Sequence, residues 1–158
     1  MPAPMSEVKD IVAENQSIIR KAGGFPNYFG VQRFGVVRPV THLVGERLVR
    51  GDIEGAVRTY ISFTTPEEDT ELSSKRKELE GCTDWAPVMN GIPENMSFEK
   101  MMAGVLADNP DDWVGAIAIL PNNLQMMFVH AYQSYLFNEM LSRRMDAGLP
   151  LNMPVEGD

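Results

Sequence analysis

Helix-start and helix-stop signals recur at short intervals along this 158-residue chain, and they confine it to a succession of helices. Asn109-Pro110-Asp111-Asp112 is the clearest start: a capping amide, a proline whose missing N–H is harmless in a first turn, and acids beside the positive end of the helix dipole. Ser6 caps a first helix whose apolar residues Val8, Ile11, Val12, Ile18 and Ile19 roughly follow helical spacing, and Gly23-Gly24 ends it. Pro39 opens a second through His42, Leu43 and Leu48, and Asp52 caps a third carrying Ile53, Ala56, Val57, Tyr60 and Ile61. Thr65-Pro66 ends that run or restarts it as a charged helix to about Glu80. Residues 81–96, with Gly81, Pro87, Asn90-Gly91 and Pro93, read as loop. Ser97 caps a helix holding Met101, Met102, Val105 and Leu106. A long helix then runs from Pro121-Asn122 through Leu124, Phe128, Ala131, Tyr135 and Met140 to Arg143-Arg144, with Gly148 beyond it. The tail from Leu149 to Val155 reads as extended and without a partner in this chain, and no internal repeat is visible. The expected class is predominantly α-helical.

Several function classes are excluded early. The longest apolar run, Val114 to Leu120, is far too short for the ~30 Å hydrocarbon layer of a bilayer. The opening Met-Pro-Ala-Pro-Met-Ser-Glu has neither the basic nor the apolar region of a secretory signal. Cys82 is alone, which excludes an internal disulfide or zinc ribbon and suits a reducing cytoplasm. His42 and His130 have no Cys or second His at ligand spacing, so no metal site is expected, and His130 reads as a packed residue on an apolar helix. Ser134 lacks the Gly-x-Ser-x-Gly elbow of a hydrolase nucleophile, and no glycine loop matches a phosphate cradle. Most of the helical methionines, Met101, Met102, Met127 and Met140 among them, read as core filling rather than a ligand stripe.

The net charge of −8 speaks against a polyanionic partner, but it is unevenly spread. Residues 18–60 carry seven Lys and Arg against three acids, and residues 66–112 carry four against twelve. Attraction to phosphate would act only on the first segment. The alternative is that both segments form solvated helix faces.

One stretch departs from the rest. Gly24-Phe25-Pro26-Asn27-Tyr28-Phe29-Gly30-Val31-Gln32-Arg33-Phe34-Gly35 holds four aromatic residues, although aromatics are only 8% of the chain. Its three glycines permit positive φ and close backbone approach, Pro26 keeps Phe25 extended, and Asn27 offers donors and an acceptor. Flat rings beside an Asn and an Arg can stack an unpaired base and hold a phosphate. They can equally pin a glycine-rich turn to a core.

This motif, Gly-x-Pro-Asn-Tyr-Phe-Gly-x-Gln-Arg-Phe-Gly, resembles that of the TruD family of tRNA pseudouridine synthases. The likeness continues in the family's order. Arg38-Pro39-Val40-Thr41-His42-x-Val44-Gly45 and Arg50-Gly51-Asp52-Ile53-Glu54-x-Ala56-Val57 resemble the segment entering that family's insertion domain. Asp111-Asp112-Trp113 through Ala118-x-Leu120-Pro121 resembles the segment leaving it, and Phe128 through Arg144 resembles the signature helix that follows.

The resemblance implies an RNA-modifying isomerase that converts a uridine at position thirteen of tRNA to pseudouridine, by base flipping and an Asp nucleophile, without metal or organic cofactor. It divides the chain into residues 1–43 of a catalytic domain, an insertion domain over 44–121, and a signature helix and tail over 122–158. The whole would be an α+β fold with an inserted TruD-type domain. The substrate-binding residues it implies are Asn27, Tyr28, Phe29, Gly30, Gln32, Arg33 and Phe34. Phe29 would stack on the target base, Asn27 would hold the loop or the nucleophile's surroundings, and Arg33 would serve phosphate or a carboxylate of the loop. Gly30 and Gly35 would let the backbone come close. The family's nucleophile segment, of the type Gly-x-Lys-Asp-x-x-Ala-x-Thr-x-Gln, has no counterpart here, since Lys9-Asp10 lies inside a periodic helix without the flanking residues. No catalytic residue is therefore expected in this chain, which by itself would be inactive and would need the remainder of the catalytic domain as well as tRNA. The lone cysteine and the short apolar runs lead us to expect a cytoplasmic protein with no membrane partner, and the oligomeric state is left open. The alternative reading is a noncatalytic RNA-binding or scaffold protein derived from such an enzyme.

Overall fold

A computed structural model describes residues 4–21 and 23–157. Met1–Ala3, where the reading of the N-terminus begins, lie outside the described residues, as do Ala22 and Asp158 at the borders of the first helix and the tail. Eight α-helices follow in order: α1 (Met5–Lys21), α2 (Thr41–Val49), α3 (Ile53–Ser62), α4 (Thr70–Leu79), α5 (Ala86–Met89), α6 (Ser97–Asp108), α7 (Trp113–Ala118) and α8 (Asn122–Asp146). Two 3₁₀ turns, Val31–Arg33 and Glu94–Met96, complete the set. The described residues contain no strand, as the helical patterning predicts, and no helix among them is long and apolar enough to cross a membrane.

The chain divides into two compact units, one of residues up to 28 together with those from 136 onward, the other of residues 29–135. Val40 and Thr41, just before the expected boundary at 43/44, and Phe128 and Ala131, just after that at 121/122, are buried within the 29–135 unit.

That core is built on α3, which packs against α2, α4, α6 and α7. Trp85, Phe128, Ile61, Leu79, Met96, Met102 and Leu106 are the largest of its fully buried side chains. Burying each side chain of this size is worth roughly 1.5–3 kcal/mol. Two of them, Trp85 and Met96, lie in the segment that reads as loop. Residues 81–96 instead contain α5 and the Glu94–Met96 turn, with Ile92 also buried, so glycines and prolines there shape a packed connection.

Asp52 caps α3 as expected, its Oδ1 accepting from the Gly55 amide at 2.9 Å. Elsewhere the caps shift. α4 is capped by Asp69, which accepts from the amides of Glu71 and Leu72, rather than by a restart at Thr65-Pro66. Ser97 is the first residue of α6 and Met96 occupies the capping position; Ser6 likewise lies inside α1. At 109–112 the cap is Asp112, whose Oδ1 accepts from the Gly115 amide at 2.8 Å, so the helix begins at Trp113 rather than at the proline.

These two caps expose a short repeat that the linear reading misses. Asp52-Ile-Glu-Gly-Ala-Val and Asp112-Trp-Val-Gly-Ala-Ile start α3 and α7 in the same way. In both, the cap carboxylate folds over the glycine so closely that a Cβ there would meet it at 2.1–2.2 Å. Ala56 and Ala116 follow, fully buried in two helices that pack against each other.

In the other unit α1 forms as predicted but buries none of its residues; Val8, Ile11, Val12, Ile18 and Ile19 are all exposed. The tail is not without partners. Arg144 donates from Nε to the Pro150 carbonyl at 2.8 Å and from Nη2 to the Met153 carbonyl at 2.7 Å, folding the segment back on the end of α8.

Candidate functional site

The aromatic-rich loop is held at several points, each through a residue that its local sequence does not predict. In the first unit the Tyr28 hydroxyl lies 3.1 Å from Ser142 Oγ and donates to Met145 Sδ at 3.5 Å, both on the last turns of α8. Asn27 and Phe25 are exposed, and Gly24 reaches φ +155 beside Leu151.

In the second unit the backbone turns through Val31–Arg33. The Arg33 amide donates to the Gly30 carbonyl, and those of Phe34 and Gly35 to the Val31 carbonyl, at 3.0–3.1 Å. Thr41, the first residue of α2, fastens this turn: its Oγ1 donates to the Arg33 carbonyl at 3.1 Å and its amide to the Phe34 carbonyl at 3.4 Å. Gly35 sits at φ +105, and a Cβ there would fall 2.2 Å from the Arg38 carbonyl oxygen, so only glycine fits. Gly30, by contrast, has open space where a Cβ would be.

Side chains then sort into anchors and presented groups. Phe34, expected to meet substrate with the others, is half-buried and edge-on to His42 at 5.3 Å, which makes it an anchor. Phe29 keeps 42% of its surface exposed, and the Arg33 guanidinium carbon lies 5.5 Å from its ring centre. Arg33 Nε donates to Ser134 Oγ at 3.1 Å, and that hydroxyl donates in turn to the His130 carbonyl at 2.8 Å, so α8 orients the guanidinium. Phe29, Gly30, Gln32 and Arg33 line an open groove of about 630 Å³ together with Val31 and Met127. Of the predicted residues, these four are brought together; Tyr28 and Phe34 fasten the loop, and Asn27 belongs to the other unit.

His42 is the residue nearest this turn that the sequence undervalues. It stacks on Tyr135 at 4.9 Å, and its Nδ1 is buried without a hydrogen-bond partner. Burial pushes its pKa below the ordinary imidazole value, against a weaker upward pull from Glu46. The folded state therefore prefers neutral imidazole, and stability is lost as pH falls below about 6.5, where the unfolded chain takes up a proton. Urea unfolding at pH 7.5 and 5.5 should show a larger loss for the wild type than for His42→Phe; equal losses would assign the proton elsewhere. His130, expected to be packed, is exposed on α8.

The basic segment is largely neutralised from within. Arg47 pairs with Asp52 at 2.6 Å, Arg50 with Glu46 at 2.9 Å and Arg58 with Glu54 at 2.8 Å. Arg38 is buried in a network that charge counting along the chain cannot find. Its Nη2 meets Glu99 Oε1 at 3.0 Å, the same oxygen lies 2.8 Å from Arg76 Nη1, and Arg76 Nε meets Glu68 Oε1 at 2.7 Å.

A half-exposed ring and a guanidinium thus share an open groove on a turn fastened to a helical scaffold. A family description, tRNA pseudouridine synthase D (TruD), matches residues 3–158, and the chain belongs to that family. A relative from Methanosarcina acetivorans named "Probable tRNA pseudouridine synthase D" is 44% identical over 152 residues, covering 96% of this chain and 34% of its own length. One of the same name from Methanopyrus kandleri is 44% identical over 141 residues, 89% of this chain and 35% of its own. The crystal structure of the TruD protein of Methanosarcina mazei superposes with a TM-score of 0.87 at 43% identity, over 97% of this chain and 35% of that one. The chain thus spans about a third of the length of the relatives it matches.

Proposed function

We propose that this chain carries the base-binding loop and the insertion region of a synthase that isomerises a uridine in tRNA, at position thirteen, to pseudouridine. The nucleophilic Asp comes from outside residues 1–158, from an α+β catalytic domain that the helical segment around residues 44–121 interrupts. Phe29 stacks on the extruded base, Arg33 and Gln32 contact the flanking backbone or base edge, and Gly30 leaves room for close approach. Tyr28, Phe34 and Asn27 hold the loop in register.

The observation that carries this reading is that Phe29, 42% exposed, lies beside the Arg33 guanidinium in one open groove with Gln32. Extrusion of a base costs a few kcal/mol, and stacking on an aromatic ring returns about 1–3 kcal/mol of that. Phe29→Ala in the intact protein should therefore lower kcat/KM for pseudouridine formation roughly 10- to 100-fold, with the thermal midpoint unchanged because the ring is half exposed. Unaltered turnover would remove Phe29 from the site. RNA binding without any isomerisation by the wild type would instead support the noncatalytic reading.

A further inference from the structure

We infer that Glu99, on α6 and remote in sequence from the loop, is a positioning residue that fixes the exit of the Phe29–Phe34 turn through Arg38. This rests on the reading of that turn as the base-binding loop.

The exit is mechanically tight. The Arg38 carbonyl lies against Gly35, where it leaves no room for a Cβ, and it also accepts from the Val40 amide at 2.8 Å. The Arg38 carbonyl and Gly35 are thus packed without slack, so a displaced Arg38 disturbs the seat of Gly35, which closes the turn through its own bond to Val31. What keeps the Arg38 side chain in place is a set of contacts from the helical core. Nη1 donates to the Tyr60 carbonyl at 2.6 Å and more weakly to that of Phe63 at 3.4 Å, and the guanidinium carbon lies 5.2 Å from the Tyr60 ring centre. Glu99 is the one carboxylate that ion-pairs with Arg38 among the described residues.

Glu99 has a second task that makes it decisive. Its Oε1 bridges Arg38 and Arg76, two cations whose mutual repulsion would otherwise act in a buried setting. Arg76 keeps Glu68 and the Ile61 carbonyl if Glu99 is neutralised, whereas Arg38 keeps two carbonyls and the Tyr60 ring but no carboxylate. Arg38 is then the cation that moves, and the turn moves with it.

Hydrogen exchange in the intact protein separates this role from general stabilisation. Glu99→Gln should speed exchange at the amides of Arg33, Phe34 and Gly35 about tenfold or more relative to those of α6. Glu68→Gln removes charge from the same network without touching Arg38, and should leave those loop amides within twofold of wild type. In pseudouridine formation, Glu99→Gln should lower kcat about tenfold with KM within twofold, and Glu99→Asp should recover part of the loss. Should Glu99→Gln fail to fold, Arg38→Lys, which keeps the charge but not the forked reach, is expected to give the same exchange pattern. Loop exchange unchanged in Glu99→Gln, or raised equally in Glu68→Gln, would overturn the inference. A wild type that forms no pseudouridine would sink the base-binding reading while the exchange comparison still decides the role of Glu99.

Discussion

Replacing Arg76 by methionine is expected to cost about 3–5 kcal/mol of folding stability. Arg76 is only 5% exposed and reaches Glu68, Glu99 and the Ile61 carbonyl at 2.7–2.9 Å. Its removal leaves two buried carboxylates short of their counter-charge, and Glu68 Oε2 already lacks a partner. For a chain of this size the thermal midpoint should fall on the order of 10 °C. The second substitution Glu68→Met, added to Arg76→Met, should restore part of that loss, because a buried unpaired charge is worse than an apolar replacement of both. A midpoint unchanged in the single variant would mean that the network is solvated and contributes little.

A single added methyl group should be almost as damaging at Gly45. A Cβ there would stand 2.0 Å from the Phe128 carbonyl oxygen and 2.7 Å from its carbon, so α2 and α8 touch backbone to backbone at this point. Propensity alone favours alanine over a helical glycine by about 1 kcal/mol. Overpacking against backbone reverses the sign, and Gly45→Ala should destabilise by about 1–3 kcal/mol. Gly104 is the internal control: it too is helical, yet its nearest neighbour would be Met89 Sδ at 3.7 Å, so Gly104→Ala should be neutral or stabilising. Denaturant midpoints for the two variants moving in the same direction would reject the close-approach argument.

Legibility from sequence followed the range of the interactions involved. The helical class and the span of α8 were readable because apolar spacing and terminal signals act within a few residues, as with Pro121-Asn122 and Arg143-Arg144. Cap positions were readable only to within a turn. Asn109, Asp111 and Asp112 are all competent caps, and packing of Trp113 on Trp85 and Arg58 selects the last of them. The loop stood out in the sequence by its density of rings, but which of its side chains find distant partners was not legible. Tyr28 finds its partner 114 residues away, and Arg33 finds Ser134 101 residues away. The Arg38–Glu99 pair spans 61 residues, and nothing near either residue announces the other. Fold-scale contacts of this kind are invisible to periodicity.

Three arginines, Arg47 on α2, Arg50 just beyond it and Arg58 on α3, have a consequence for how an anionic ligand would be held. Arg47, Arg50 and Arg58 each carry a carboxylate partner four or five residues away, tethered by the same chain. Affinity for a polyanion normally draws on the entropy of small ions set free when phosphates meet cationic side chains. A guanidinium that already has a tethered counterion exchanges one carboxylate for one phosphate and releases little into solution. Under the proposed function, these three residues should thus steepen the salt dependence of RNA binding far less than their number suggests, and the larger share of it should fall to Arg33, which lines the groove itself.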